Sequence, residues 1–92
     1  MITLLIKKKY FNQILNEEKK EEFRSVKPFY EKMFIKEPKT LKLHYQGNEN
    51  LIVEVLNIEK IKTPEELLNS DIQFPDKVFR IKLGKILEYS QK

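Results

Sequence analysis

Residues 41–61 read L-K-L-H-Y-Q-G-N-E-N-L-I-V-E-V-L-N-I-E-K-I, and this stretch decides the fold class. Leu41, Leu43 and Tyr45 alternate with Lys42, His44 and Gln46, the period of a half-buried strand. Gly47, Asn48, Glu49 and Asn50 carry turn chemistry. Leu51, Val53 and Val55 then share one face of a second strand running to Ile61. Its phase shifts at Leu56 and Ile58, as a bulge or bend requires. Two strands joined by so short a turn pair antiparallel.

Working outward, Thr63-Pro64-Glu65-Glu66 has the pattern of a capping box with proline at the first helical position. It predicts a short helix to about Leu68 and a loop over residues 69–76 that holds Phe74 and Pro75. A last strand starts at Lys77, with Phe79, Ile81 and Leu83 inward and Arg80 and Lys82 outward. Gly84 marks a second bulge before Ile86 to Tyr89. Towards the start of the chain, Ile2, Leu4 and Ile6 share one face of a first strand over residues 1–7. Phe11, Ile14 and Leu15 fall at helical spacing within residues 10–17. Glu17 to Lys20 is a turn, and Glu21 to Ser25 a short extended segment with Phe23 pointing inward. Pro28 opens a second helix with Tyr30, Met33 and Phe34 as its apolar stripe, ended by Pro38. The predicted order is β-α-β-α-β-β-α-β, an α+β domain spanning residues 1–92. Small, mostly antiparallel sheets of this kind curl into a partly open barrel with two or three short helices at its ends.

Composition narrows the chemistry. Among 92 residues there are no cysteines and one histidine, His44. That removes disulfides, thiolate metal sites and His-rich metal sites, and no metal or cofactor is implied. A cysteine-free chain fits the cytoplasm. Lys7, Lys8 and Lys9 follow the apolar start, the reverse of a secretory signal, and no apolar run approaches a membrane helix. The net charge of +4 suits a polyanionic partner, and a lysine-rich composition by itself produces the same bias.

Residues 14–24 read I-L-N-E-E-K-K-E-E-F-R. This segment resembles the signature of ASCH domains, members of the PUA-like superfamily, in which a helix ends in I-L-x-G-x-K-x-x-E-x-R. Ile14 and Leu15 match the helix end, Lys19 the lysine, Glu22 the acid and Arg24 the arginine. Leu4 to Lys7 resembles the family's first strand, Leu41 to Tyr45 a strand ending in tyrosine, and Phe79 to Ile86 its closing F-x-I-x-L-G-x-I strand. The resemblance implies a PUA-like barrel with a cleft between barrel and helices, and relatives that bind RNA, hydrolyse the amide of an acetylated cytidine, or cleave RNA. One position departs from the family, and another from its amidohydrolase branch. Glu17 stands where the family has glycine, and Glu22 stands where the amidohydrolase branch has threonine, which argues against carrying that mechanism over.

On an extended segment Glu22 and Arg24 share a face, and Lys19 in the preceding turn can swing over it. An arginine fork grips phosphate, and a carboxylate accepts from a base edge. The expected ligand-binding set is Lys19, Glu22, Arg24, Lys27, Tyr30 and Tyr45, the tyrosines offering stacking surfaces. Lys7, Lys8, Lys9, Lys27, Arg80 and Lys82 are further candidates to track phosphates. Lys19 as base with Glu22 would be the catalytic pair if the chain is an enzyme. Spacing alone leaves another reading open: with four acids and three bases, residues 17–24 also describe a solvated turn and edge strand. Three functions therefore stand side by side. They are a module binding RNA or a nucleotide, a metal-independent hydrolase of a nucleoside amide or RNA, and a protein-interaction or inhibitor module.

Overall fold

The computed structural model describes residues 1–45, 49–70 and 72–91. Eight elements follow in the predicted order: β1 (Ile2–Leu5), α1 (Lys8–Leu15), β2 (Glu21–Ser25), α2 (Pro28–Phe34), β3 (Thr40–His44), β4 (Glu49–Lys62), α3 (Glu65–Leu68) and β5 (Lys77–Gln91). The strands form one mixed sheet in the order β1-β3-β4-β5-β2. β1 runs parallel to β3, and the other pairings are antiparallel. The sheet is open. β1 and β2 are its edges, and among the described residues no strand pairing joins them.

The inner faces of the strands and one side of α1 and α2 make the core. Leu41, Leu43, Leu51, Val53 and Ile81 are wholly buried, with Phe11 and Ile14 of α1 laid against them. Phe34 of α2 meets Phe79 of β5 edge to face at 5.0 Å between ring centroids. Such pairs add about 0.5–1.5 kcal/mol beyond the area they bury.

β4 and β5 lose register at three places between Ile52 and Asn57. Val53 faces Ile86 and Val55 faces Leu83, so β5 carries an extra residue there. Asn57 then faces Lys82, which leaves Leu56 as the extra residue on β4. Ile52 faces Glu88, one step before Val53 faces Ile86, which is a further extra residue on β5, so the expected phase change is the last of three bulges. Ile58 returns to the core while Leu56 is exposed. A side chain at Gly84 would meet the ends of the Glu54 and Leu56 side chains, which occupy the space beside its bare Cα.

Several local expectations are corrected. Glu49 and Asn50 belong to β4, and the remainder of the predicted turn, Gly47 and Asn48, lies outside the described residues. Thr63 does not cap α3. Its hydroxyl donates to the Pro75 carbonyl, its N–H bonds Asp76 O at 2.8 Å, and Pro64 stands at the N-cap. Phe23 is not a core residue. The register Glu22↔Ile81 and Arg24↔Phe79 turns the charged pair to the apolar side of β5 and Phe23 to the other side. In a strand one residue of slip exchanges the faces, and here the ion pair makes the inward face tolerable to charge.

The end of α1 fixes the turn that carries the family-like segment. Glu17 N–H bonds Ile14 O at 3.0 Å, and Glu18 N–H bonds Gln13 O at 2.8 Å, the two bonds of a Schellman motif. The motif needs a left-handed residue, and Glu17 supplies it with φ 60°. The position thus keeps a glycine-like backbone although a glutamate occupies it. A left-handed L-residue costs about 1–2 kcal/mol, partly offset in any change to glycine by the looser unfolded chain. Glu17→Gly should therefore stabilise the domain by about 1 kcal/mol, raising the melting temperature by about 4–8 °C. A lower melting temperature in a thermal unfolding scan would refute this.

Candidate functional site

Between the edge strands β1 and β2 lies a cleft of about 730 Å³, walled by α1, the start of α2, Leu67, Ser70, Ile72, Gln73 and Phe74. All six residues of the expected ligand set line it: Lys19, Glu22, Arg24, Lys27, Tyr30 and Tyr45. Lys7 and Lys8 line it too, whereas Lys9, Arg80 and Lys82 do not. Arg80 is held instead by Glu59 and Glu21 on neighbouring strands.

At the cleft floor Glu22 is 6% exposed. Its Oε2 accepts from Arg24 Nε at 3.0 Å and Nη2 at 2.7 Å, while Oε1 faces Lys19 Nζ at 3.6 Å. Arg24 goes further. Nη1 donates to the Tyr30 hydroxyl at 3.1 Å, and Nη2 also donates to Leu5 O at 2.9 Å. Four of the five guanidinium N–H groups thus have protein acceptors. Burial lowers the Arg24 pKa, but Glu22 and Tyr30 outweigh it, so the group lies above its ordinary value. Sequence reading expected a fork presented to phosphate. The fork is engaged by Glu22, and Arg24 ties β2 to β1 across the open side of the sheet.

Lys19 is placed by backbone and ring contacts. Its N–H bonds Gln13 O at 3.1 Å beyond the Schellman turn. Its ammonium lies 4.8 Å from the Tyr10 ring centroid and 5.9 Å from that of Phe23. The same pairing recurs along the cleft, with Lys27 5.8 Å from the Tyr30 ring and Lys8 5.7 Å from the Tyr45 ring. Each contact is worth about 0.5–1 kcal/mol at an exposed site. It orients the lysine without consuming its hydrogen-bond donors.

The tyrosines are held from behind. Tyr30 stacks on Phe34 at 5.8 Å. Tyr45 meets Phe11 edge-on at 5.0 Å, and its hydroxyl donates to Glu49 Oε1 at 2.6 Å. Tyr89 donates to the other Glu49 oxygen. Hydrogen bonding by Tyr45 and then Tyr89 lowers the Glu49 pKa, and the bond to Glu49 raises that of Tyr45. Tyr45 therefore offers the cleft its ring while its hydroxyl is committed to Glu49.

Sequence reading missed part of the wall. Tyr10 and Phe23 beside Lys19, with Leu67, Ile72 and Phe74 opposite, supply apolar lining. Tyr10 was detectable in principle, because it sits one position before Phe11, at the border of the α1 stripe. Ser70 shapes the opposite wall, its hydroxyl 2.8 Å from Leu67 O and 2.9 Å from Ile72 O. Glu65 and Glu66 stay outside the cleft, and so does His44.

Charge is distributed unevenly. Five of the chain's 18 lysines and arginines line the cleft, against one of its 14 acids among the described residues. Elsewhere the described residues carry 12 of each. The whole excess of +4 is gathered at this one concavity. The cleft offers mobile ammonium donors, one carboxylate acceptor and aromatic walls. Compared with family models, with curated proteins and with solved structures, the chain gives no match to any of them.

Proposed function

We propose that this chain is a PUA-like module of the ASCH type whose cleft binds RNA or a nucleotide. The observation that carries the reading is the concentration of all the net positive charge in a cleft lined by aromatic rings. A composition biased towards lysine would spread that charge over the surface. Lysines at the rim then neutralise phosphate, the tyrosine and phenylalanine rings take a base, and Glu22 accepts from a base edge. The barrel reading is supported by Arg24, which joins the two edge strands through its side chain where backbone pairing is missing.

A titration of labelled single-stranded RNA at several salt concentrations tests this. With about four phosphates neutralised, the slope of log K against log salt should be near −2.8, and affinity should fall about 50-fold between 50 and 200 mM. Undetectable binding, or binding indifferent to salt, would end the proposal.

A further inference from the structure

The cleft geometry points to a single unstacked nucleotide unit, base together with its phosphate, as the ligand it recognises; this rests on the nucleotide reading above. Three observations narrow the class.

Size comes first. A volume of about 730 Å³ falls within the range of about 300–1,000 Å³ typical of small-molecule pockets. A concavity of that size encloses one nucleotide and cannot admit a helix.

Charge comes second. Proteins that read double-stranded RNA contact phosphates and 2′-hydroxyls over about 16 base pairs, which requires cations spread along an extended face. Here, among the described residues, acids and bases are equal in number outside the cleft. Arg80, a cation on the sheet away from it, is already paired with Glu59 and Glu21. A duplex laid on this surface would find no continuous positive track.

The third observation is Glu22. A site meant for phosphate alone has no use for a carboxylate at its floor, since it repels the ligand. This carboxylate is fixed through Oε2 by Arg24, and Oε1 is directed at Lys19 across 3.6 Å, longer than a hydrogen bond. An acceptor beside a cation matches a ligand that brings an N–H donor and an anion together. A nucleotide has both, the first on its base edge and the second on its phosphate.

Displacement of labelled single-stranded RNA separates the possibilities. Unlabelled nucleoside 5′-monophosphates should displace the probe. The parent nucleosides, lacking phosphate, should do so at least tenfold more weakly. A blunt RNA duplex of the probe's length should be weaker than the unlabelled strand by a similar factor. If the probe binds and mononucleotides fail to displace it, or the duplex competes as well as the strand, the single-unit inference falls while RNA binding stands. Nucleosides competing as well as nucleotides would also overturn it. A probe that never binds removes both proposals together.

Discussion

Arg24→Ala is expected to destabilise the domain by about 3 kcal/mol, the largest effect of any single substitution at the cleft. Removing one partner of a buried ion pair typically costs about 3–5 kcal/mol, because the other charge is left without compensation. Glu22 is such a partner, its side chain 8% exposed and held by two guanidinium N–H groups. Lys19 remains nearby at 3.6 Å, which places the cost at the lower end. Two further bonds disappear with the guanidinium, to Tyr30 and to the Leu5 carbonyl. In a chain of this size the melting temperature should fall by roughly 12–24 °C. Arg24→Leu combined with Glu22→Leu should recover most of that loss, since an apolar replacement of a whole buried pair is often neutral. Urea unfolding of the three proteins measures both effects. A single variant within 1 kcal/mol of wild type would show that the ion pair does not hold the seam.

Replacing Lys8, Lys19 and Lys27 together by alanine should reduce affinity for single-stranded RNA by at least 100-fold at low salt while leaving the fold intact. These ammonium groups rest on tyrosine rings, contacts that each contribute little to stability when solvent-exposed. Each one removed deletes a phosphate partner, so the salt slope should flatten by about 2. The pairing of Arg24 with Glu22 survives, so the variant should still fold, with a loss of about 1.5–3 kcal/mol from three ring contacts of about 0.5–1 kcal/mol each. Unchanged affinity would dissociate the cleft's positive charge from binding. Loss of affinity with an unchanged salt slope would mean that the lysines act on the cleft's shape.

The order of all eight elements was legible in residue pattern, because period-2 alternation and helical spacing report burial directly. Which face of β2 turns inward was not legible. Glu22 and Arg24 look like surface residues in isolation, and Phe23 looks like core. The register with Ile81 and Phe79 decides otherwise, and a register involving residues nearly 60 positions apart leaves no local mark. The same applies to Arg24. Sequence can nominate a guanidinium for a site, but its acceptors on Leu5 and Tyr30 exist only after the sheet has coiled. The lining contributed by Leu67, Ser70, Ile72, Gln73 and Phe74 was hidden for a related reason, since a loop's path is set by what it packs on. The left-handed Glu17 shows the opposite limit. Glycine would have announced the turn, whereas a glutamate held there by two backbone bonds gives no sign in the residue type.

Strand order also dictates when the cleft comes into being. β2 has a single neighbour in the sheet, β5, and β1 is anchored only through β3. A chain emerging from the ribosome can pair β1 with β3 once residues 40–44 are out, but cannot seat β2 until residues 78–82 arrive. Loop closures this long are slow to form and leave edges unpaired in the interval. The nascent chain therefore carries β2 without a settled place, and the cleft acquires its second wall only when β5 has paired.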